Sequence, residues 1–348
     1  MDADRKKRVV AGWILLGIFM LVIQVLLGGI TRLTGSGLSI TEWKPIMGAL
    51  PPTNEAAWQN AFDKYQQIAQ FKYINSHFTL SDFKFIFFWE WFHRLWARLI
   101  AFVFLIPFIY FIARKYFQRW MITPLVILFL LGALQGAVGW IMVKSGLNQE
   151  DIYVSHIRLA AHFISAMVLI CYALVFWLKL RTQPQEKVLS ATLKYFSIGI
   201  LILLTVQLTY GAFMAGLKAA NAAPTWPDIN GALIPSLSGK HLVNNHIAVH
   251  FIHRTLAYTL LVLVLAWWFK ARNFTQFKPF NFTRNLALVL VALQVTLGIF
   301  AVLQSPWIKY GKFGAFEWLA LIHQLVGMLL LLTFISAAYL LRSRRLPQ

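Results

Sequence analysis

The stretch QVLLGGITRLTGSGLSITEWKPIMGALPP at positions 24–52 has a gapless counterpart 183 residues later, QLTYGAFMAGLKAANAAPTWPDINGALIP at 207–235. Gln24 falls on Gln207, Gly28 on Gly211 and Trp43 on Trp226, and Ile46, Gly48, Ala49, Leu50 and Pro52 each meet an identical residue. Eight identities in 29 positions carry weight because both copies lie at the same distance past an apolar run. Self-similarity at a fixed offset marks duplication and changes how every other motif is read. Downstream, EWFHRLWARL (90–99) matches HFIHRTLAYT (250–259), ALQGAVG (133–139) matches ALQVTLG (292–298), and HFISAMVL (162–169) matches HQLVGMLL (323–330). The offset shrinks because the first long loop (32–89) exceeds its counterpart (218–246).

Composition says what is duplicated. The chain has 348 residues, 59% of them hydrophobic and only 13% charged, against roughly 25% charged in soluble domains. Apolar runs long enough to cross a bilayer as helices are expected at 11–31, 90–113, 121–143, 155–180, 195–217, 247–270, 284–304 and 317–341. The fold class is therefore an all-α integral membrane protein, with eight transmembrane helices forming two tandem pseudo-symmetric four-helix bundles. Four spans return the chain to its starting side, so both bundles have the same orientation. The polar connector KLRTQPQEK (179–187) separates an N-terminal unit, 1–185, from a C-terminal unit, 186–348.

The net charge of +20 is explained by topology. Eighteen Lys and Arg residues fall on short loops and tails of one side, among them Arg5, Lys6, Lys7, Arg8, Arg114, Lys115, Arg342, Arg344 and Arg345. The other side carries ten, five of them spread along the first long loop. Positive residues concentrate on cytoplasmic loops, which places both termini in the cytoplasm and excludes nucleic acid as a partner. The single cysteine, Cys171, lies in a span, so the chain builds neither a disulfide nor a thiolate metal site. MDADRKKRVV is too short for an organellar presequence, and a bacterial inner membrane is the expected location.

Of nine histidines, His93, His162, His253 and His323 are paired by the repeat. They lie on the second and fourth helix of each unit, helices that enter from the outer face, and are expected within about two turns of the helix start. Ionisable groups inside spans are costly and usually functional, and paired imidazoles on facing helices commonly hold a metal or haem in a bundle. Zinc would need further ligands, and only Glu90 is near the first pair. A haem takes two axial ligands and an apolar, aromatic slot, which suits a chain with 29 Phe, 14 Trp and 11 Tyr. Two haem sites, one per bundle, follow. Glu90 sits three residues before His93, where the second unit has His250 before His253. A partly buried carboxylate there is a candidate proton donor or acceptor; pairing with Arg94 one turn on is the structural alternative. Arg94, Arg98, Arg158 and Arg254 are candidates for neutralising propionates or for snorkelling to the surface. His246 and His250 read as interfacial, with a place beside the second haem open to His250. His156 and His241 lie near the outer surface, and His77 carries no separate signal.

Taken together, GGITRLTGSGLSITEWKPIMGALPP, EWFHR, RLAAH, FIHR and HQLVGM resemble the heme A synthase family over essentially the whole chain. The similarity is to the cysteine-poor class of proteobacteria and mitochondria, not to members with paired cysteines in their outer loops. The resemblance implies oxidation of the C8 methyl of haem O to a formyl group through successive hydroxylations and a geminal diol, giving haem A for terminal oxidases. It also implies haem b on His253 and His323, with haem O as substrate near His93 and His162 and Glu90 as a functional carboxylate. Haem O would come from heme O synthase. Membrane lipid, an electron partner and a homo-oligomer complete the expected associations. A non-catalytic di-haem b electron carrier and a haem transporter or chaperone remain open alternatives on the residues alone.

The segment at 28–45 lacks the Gly-Lys-Ser/Thr ending of a phosphate-binding loop and follows a helix rather than a strand. It reads instead as an outer cap in which glycines let the chain turn closely over the bundle mouth. Arg32, whose partner in the second unit is Ala215, is then a further candidate for the substrate's propionates.

Overall fold

The computed structural model describes residues 3–42, 49–308 and 313–343. Trp43, Ile46 and Gly48 of the repeat, and Arg344 and Arg345 of the basic tail, lie outside the described residues. Eight helices are long and apolar enough to cross a membrane. They are α1 (Ala3–Leu33), α3 (Leu80–Ala113), α4 (Arg119–Lys144), α5 (His156–Arg181), α6 (Ala191–Gly216), α7 (His246–Ala271), α8 (Lys278–Gln304) and α9 (Ala315–Leu340). A ninth, shorter helix, α2 (Glu55–Tyr65), lies between α1 and α3. Helices are what an apolar environment requires, because each satisfies its own backbone groups without water. The loops after α1, α4, α6 and α8 share one end of the molecule, the loop end. α1 starts and α9 ends at the other, the terminus end.

Two boundaries differ from expectation. α3 begins at Leu80, ten residues before the anticipated start. Thr79 and Asp82 form a reciprocal capping box, with Thr79 N donating to Asp82 Oδ2 at 2.9 Å and Asp82 N to Thr79 Oγ1 at 3.4 Å. Asp82 and Lys84 interrupt the apolar run and hide this start. His93 therefore lies between three and four turns into its helix, whereas His162, His253 and His323 lie about two turns in. α1, for its part, continues to Leu33, so Gly28, Gly29 and Arg32 belong to the helix, and the cap begins only at Thr34. Gly35, at φ +70°, makes the turn that starts it.

The long first loop is not irregular. α2 and a π turn (Phe71–Asn75) fold against the start of α3, with Leu38, Phe62, Tyr65, Phe83 and Phe87 forming a separate apolar cluster. Inside it, the Tyr65 hydroxyl donates to Gln70 Oε1 (2.9 Å) and accepts from Asn75 Nδ2 (2.7 Å). Gln70 Nε2 reaches the Gly35 carbonyl at 3.3 Å. Burial pushes the Tyr65 phenol up to about 12, so it remains a donor through the neutral range.

Packing between the halves follows the repeat. α1 packs on α9, and its repeat partner α6 packs on α5, while α5 and α9 also meet each other. That reciprocity is what a two-fold relation requires. On one side of the seam Gln324 Nε2 donates to the Val25 carbonyl at 3.1 Å. On the other, Gly216 passes so near α5 that a Cβ there would lie 2.6 Å from His156 Cβ and 2.8 Å from its Cα. At the terminus end, β1 (Val188–Leu189) pairs in parallel with β2 (Leu341–Arg342).

Gly216→Ala must push backbone apart and is expected to cost about 1–3 kcal/mol, read as a lower Tm of the purified protein in detergent. Gly199→Ala, on the same helix with no atom within 4 Å of the added carbon, is expected to leave Tm unchanged.

Candidate functional site

One cavity of about 930 Å³ runs through both halves and touches all four repeat-paired histidines. That volume lies at the upper end for small-molecule sites. Its walls are helix faces, so the chemistry it offers comes from side chains at fixed heights along each helix.

Each histidine rests in the same cradle. The preceding long helix of its hairpin carries Gln and, four residues on, Gly, which places both on one face one turn apart. The four copies are QVLLG (24–28), QGAVG (135–139), QLTYG (207–211) and QVTLG (294–298). The glycine makes room for the ring. A Cβ at Gly28 would lie 3.2 Å from His93 Cε1, at Gly139 2.8 Å from His162 Cε1, at Gly211 3.3 Å from His253 Cε1 and at Gly298 3.0 Å from His323 Cε1. In three of the four cradles the glutamine amide also meets the imidazole. Gln24 Nε2 lies 3.1 Å from His93 Nε2, Gln135 Nε2 lies 3.2 Å from His162 Nδ1, and Gln294 Nε2 lies 3.2 Å from His323 Nε2. Sequence comparison had paired these segments only between the halves. The signal that all four share, Gln-x-x-x-Gly one helix before each histidine, was present and went unread. The repeat is thus visible at the level of the helix hairpin.

The cradles are incompletely satisfied. Gln24, Gln207 and Gln294 each bury an Oε1 without a hydrogen-bond partner, and so does His253 at Nδ1. Buried unpaired polar atoms cost about 1–3 kcal/mol each and usually mark a ligand's place. The rings of His253 and His323 have centroids 6.3 Å apart, close to the roughly 6 Å expected when a metal lies between two imidazoles at about 2 Å from each nitrogen. Among the described residues no three His, Cys, Asp or Glu side chains converge. The donor set therefore suits a metal whose remaining ligands arrive with it, as in a haem. His323 Nδ1 also donates to the Gln294 carbonyl at 3.1 Å, which makes Nε2 the acceptor that the Gln294 amide meets and that a metal would take in its place.

The other predicted residues are placed as follows. Glu90 is 2% exposed and lines the cavity. Its Oε2 accepts from Ser39 Oγ (2.7 Å) and Ile40 N (2.8 Å), and its Oε1 from Arg94 Nη2 (2.6 Å). It therefore fastens the cap loop to α3. Arg94 also reaches the Ile40 carbonyl at 3.3 Å. Its counterpart Arg254 donates to the carbonyls of Asp228 and Ala223, both at 2.8 Å. Both arginines thus brace the loop above their own half. Arg158 lies apart from the cavity lining, donating to the Ile141 carbonyl at 3.2 Å, while Arg98 lines it. His250, read as interfacial with a place beside the second pair left open to it, is fully buried and lines the cavity with His253 and His323, donating from Nε2 to the Ala220 carbonyl at 3.4 Å. A short loop, not the membrane surface, covers it. His246 and His156 remain at the rim, bonded to the Leu217 carbonyl and to Asn244 Oδ1.

Arg32 lines the cavity beside Lys218, and it has no carboxylate partner among the described residues. Lys218, from the other half, holds a left-handed backbone (φ 52°) and lays its ammonium 3.6 Å from the centre of the Tyr153 ring. The two cations make an anion-seeking corner at the seam. Lys218 carries no repeat or motif signal, and sequence reading missed it.

The family described as cytochrome oxidase assembly protein (COX15-CtaA) matches residues 11–335. A protein of Rhodopseudomonas palustris (strain TIE-1) named "Heme A synthase" is 42% identical over 330 residues, covering 92% of this chain and 85% of its own. One of the same name from Flavobacterium johnsoniae is 38% identical over 331 residues, covering 92% and 94%. Another, from Nitrosomonas eutropha, is 39% identical over 308 residues, covering 85% and 86%.

Burial, and then the field of Arg32, hold the Lys218 ammonium down at about 8 from its ordinary 10.5. Between those two values the unfolded chain binds the extra proton and the folded chain does not, so stability rises with pH across that window. Amine acylation followed by peptide mass spectrometry is expected to give Lys218 a labelling midpoint near pH 8. Arg32→Gln should move that midpoint upward.

Proposed function

The chain belongs to the COX15-CtaA family of cytochrome oxidase assembly proteins, and we propose that it acts as a heme A synthase. It oxidises the C8 methyl of haem O to a formyl group, giving haem A for terminal oxidases. Each of two hydroxylations replaces one C–H bond by C–OH, with an external oxidant taking two electrons and the oxygen atom entering from outside the protein, and the resulting geminal diol loses water to leave the aldehyde. The observation that carries this reading is the fourfold Gln–Gly–His cradle around a single cavity. It supports a reading with two imidazole pairs, one for a permanent group and one for a substrate that is itself a haem.

In this reading residues 186–348 hold haem b through His253 and His323, supported by their ring separation and by the unpaired Oε1 atoms of Gln207 and Gln294. When bound, haem b supplies one-electron redox chemistry. Residues 1–185 hold haem O between His93 and His162. Arg32 and Lys218 receive its propionates, since a carboxylate is what two neighbouring cations at a cavity wall recognise. Arg94 and Arg254 keep the two loops closed above the porphyrins and exclude water, with the Arg254 Nε still free of a partner. Glu90 holds the cap in place and is the carboxylate available to carry a proton beside His93. In the same reading both termini lie in the cytoplasm, which the excess of basic residues on that side supports, and the capped mouth faces the outside of a bacterial plasma membrane. Haem O reaches it from heme O synthase.

Coexpression with a heme O synthase, followed by chromatography of extracted haems, tests the assignment. Haem A or its hydroxylated precursor is expected; normal haem b without either would identify a carrier or chaperone instead. His253→Ala or His323→Ala should strip the haem b spectrum. Glu90→Gln should keep that spectrum and lower product by about a hundredfold. Equal loss of haem from both kinds of variant would contradict the division of labour.

A further inference from the structure

The two four-helix units close differently. In the second, every neighbouring pair around the ring is packed: α6 on α7, α7 on α8, α8 on α9 and α9 on α6. In the first, α1 packs on α3 and on α5, and α4 packs on α5, but among the described residues α3 and α4 share no packed seam. A short turn at 114–118 joins these two helices at the terminus end, and beyond it the ring has an open side. That side is turned away from the second half, which meets the first through α1, α5, α6 and α9. Lipid is therefore what borders it. Only 6% of the apolar stretch of α3, and 6% of that of α4, is buried, against 33% and 22% for α7 and α8.

The residues along the opening follow the same contrast. Ala101 on α3 and Gly132 and Gly136 on α4 line the cavity and are exposed. Their repeat partners are Leu261, Val291 and Val295. Val291 is buried, and Leu261 packs against the main core. The second bundle thus fills with side chains the space that the first keeps open, where a Cβ added at Gly132 or Gly136 would meet no atom within 4 Å. Phe104 and Phe129 continue the apolar lining, and beyond Arg94 the one charged side chain of α3 that reaches the cavity is Arg98. The anion-seeking corner of Arg32 and Lys218 lies at the seam with the second half, and the opening lies on the side turned away from it.

Haem O carries a long isoprenoid chain that haem b lacks, on the porphyrin edge opposite the two propionates. A ring whose propionates reach Arg32 and Lys218 directs that chain away from the seam. Such a hydrocarbon is stable only among apolar side chains or lipid. We propose that the gap between α3 and α4 is the binding site for the isoprenoid chain of the substrate haem, which leaves the cavity past Gly132 and Gly136 into the bilayer. The open side also spares the chain from being threaded between packed helices. The inference rests on the reading that the first half receives haem O.

The test measures haem uptake by the purified full-length protein in lipid nanodiscs, titrated separately with haem O and with haem b. Bound haem is extracted and counted in excess of the resident haem b. The wild type is expected to hold haem O roughly tenfold more tightly than added haem b. Gly132→Val combined with Gly136→Val installs the side chains of the second half. It should weaken haem O about tenfold while leaving the uptake of added haem b unchanged. Ala101→Leu fills the gap from α3 and should shift the preference in the same direction. Resident haem b and Tm report folding, and should the double variant not fold, Ala101→Leu decides. Unchanged haem O affinity in the filled variants would overturn the proposal and leave the gap to lipid acyl chains. Equal weakening of both haems would overturn it as well, since haem b has no chain to displace. A wild type that takes up both haems equally would remove the chain site and spare the first-half haem site. One that takes up neither would sink the functional reading, and this proposal with it.

Discussion

Four imidazoles pressed against four missing side chains determine the geometry of this molecule. A histidine inside a bilayer has to be surrounded by protein, and a ring between two helices needs the helix opposite to give way. Gly28, Gly139, Gly211 and Gly298 give way at the height of each ring. At His93, His162 and His323 the glutamine one turn earlier supplies the polar contact that makes such burial tolerable. The distance between helices in each hairpin is therefore set by the functional group it carries. The rest of the bundle, including the close approaches of Gly29 to Leu321 and Gly216 to His156, fits around that spacing.

The two halves use the same frame differently. Above the first, a long segment folds into its own small apolar cluster, and Glu90 clasps it through Ser39 and Ile40. Above the second, a shorter loop is held by Arg254 through two carbonyls, and a buried histidine, bonded to the Ala220 carbonyl, takes the carboxylate's place. A buried carboxylate, a glutamine that meets a serine hydroxyl, and Arg32, without a carboxylate partner among the described residues, all lie on the first side. The duplicated scaffold supplies symmetry, and a handful of single-residue departures from it make the two halves unlike.

Much of this was legible in the sequence. Eight spans follow from hydropathy because the bilayer imposes a length, and the pairing of His93 with His253 and of His162 with His323 follows from the duplication. The features that stayed hidden have physical reasons. The start of α3 was masked because Asp82 and Lys84 sit where the helix leaves the apolar zone, and charge there looks like loop. Gly28 read as a turn residue because glycine serves both turns and close contacts, and only the neighbouring ring tells them apart. The burial of His250 depends on a loop folding back over it, which no local pattern encodes. The Gln-x-x-x-Gly signature was readable in principle. It needed comparison between adjacent hairpins, whereas the stronger similarity between halves drew attention to the longer period.

The small parallel pair of β1 and β2 at the terminus end bears on how the protein is made. Val188 and Leu189 lie near the middle of the chain, and their strand partners, Leu341 and Arg342, come after the last membrane helix. The Arg342 carbonyl also accepts from Ser190 N at 3.0 Å. During synthesis the first half and the connector emerge and wait without these partners while four further helices are threaded into the bilayer. The clasp joining linker to tail closes only after α9 has been made. A truncation just past α9 would spare every cavity residue and still remove the strand that ties the connector to the second half.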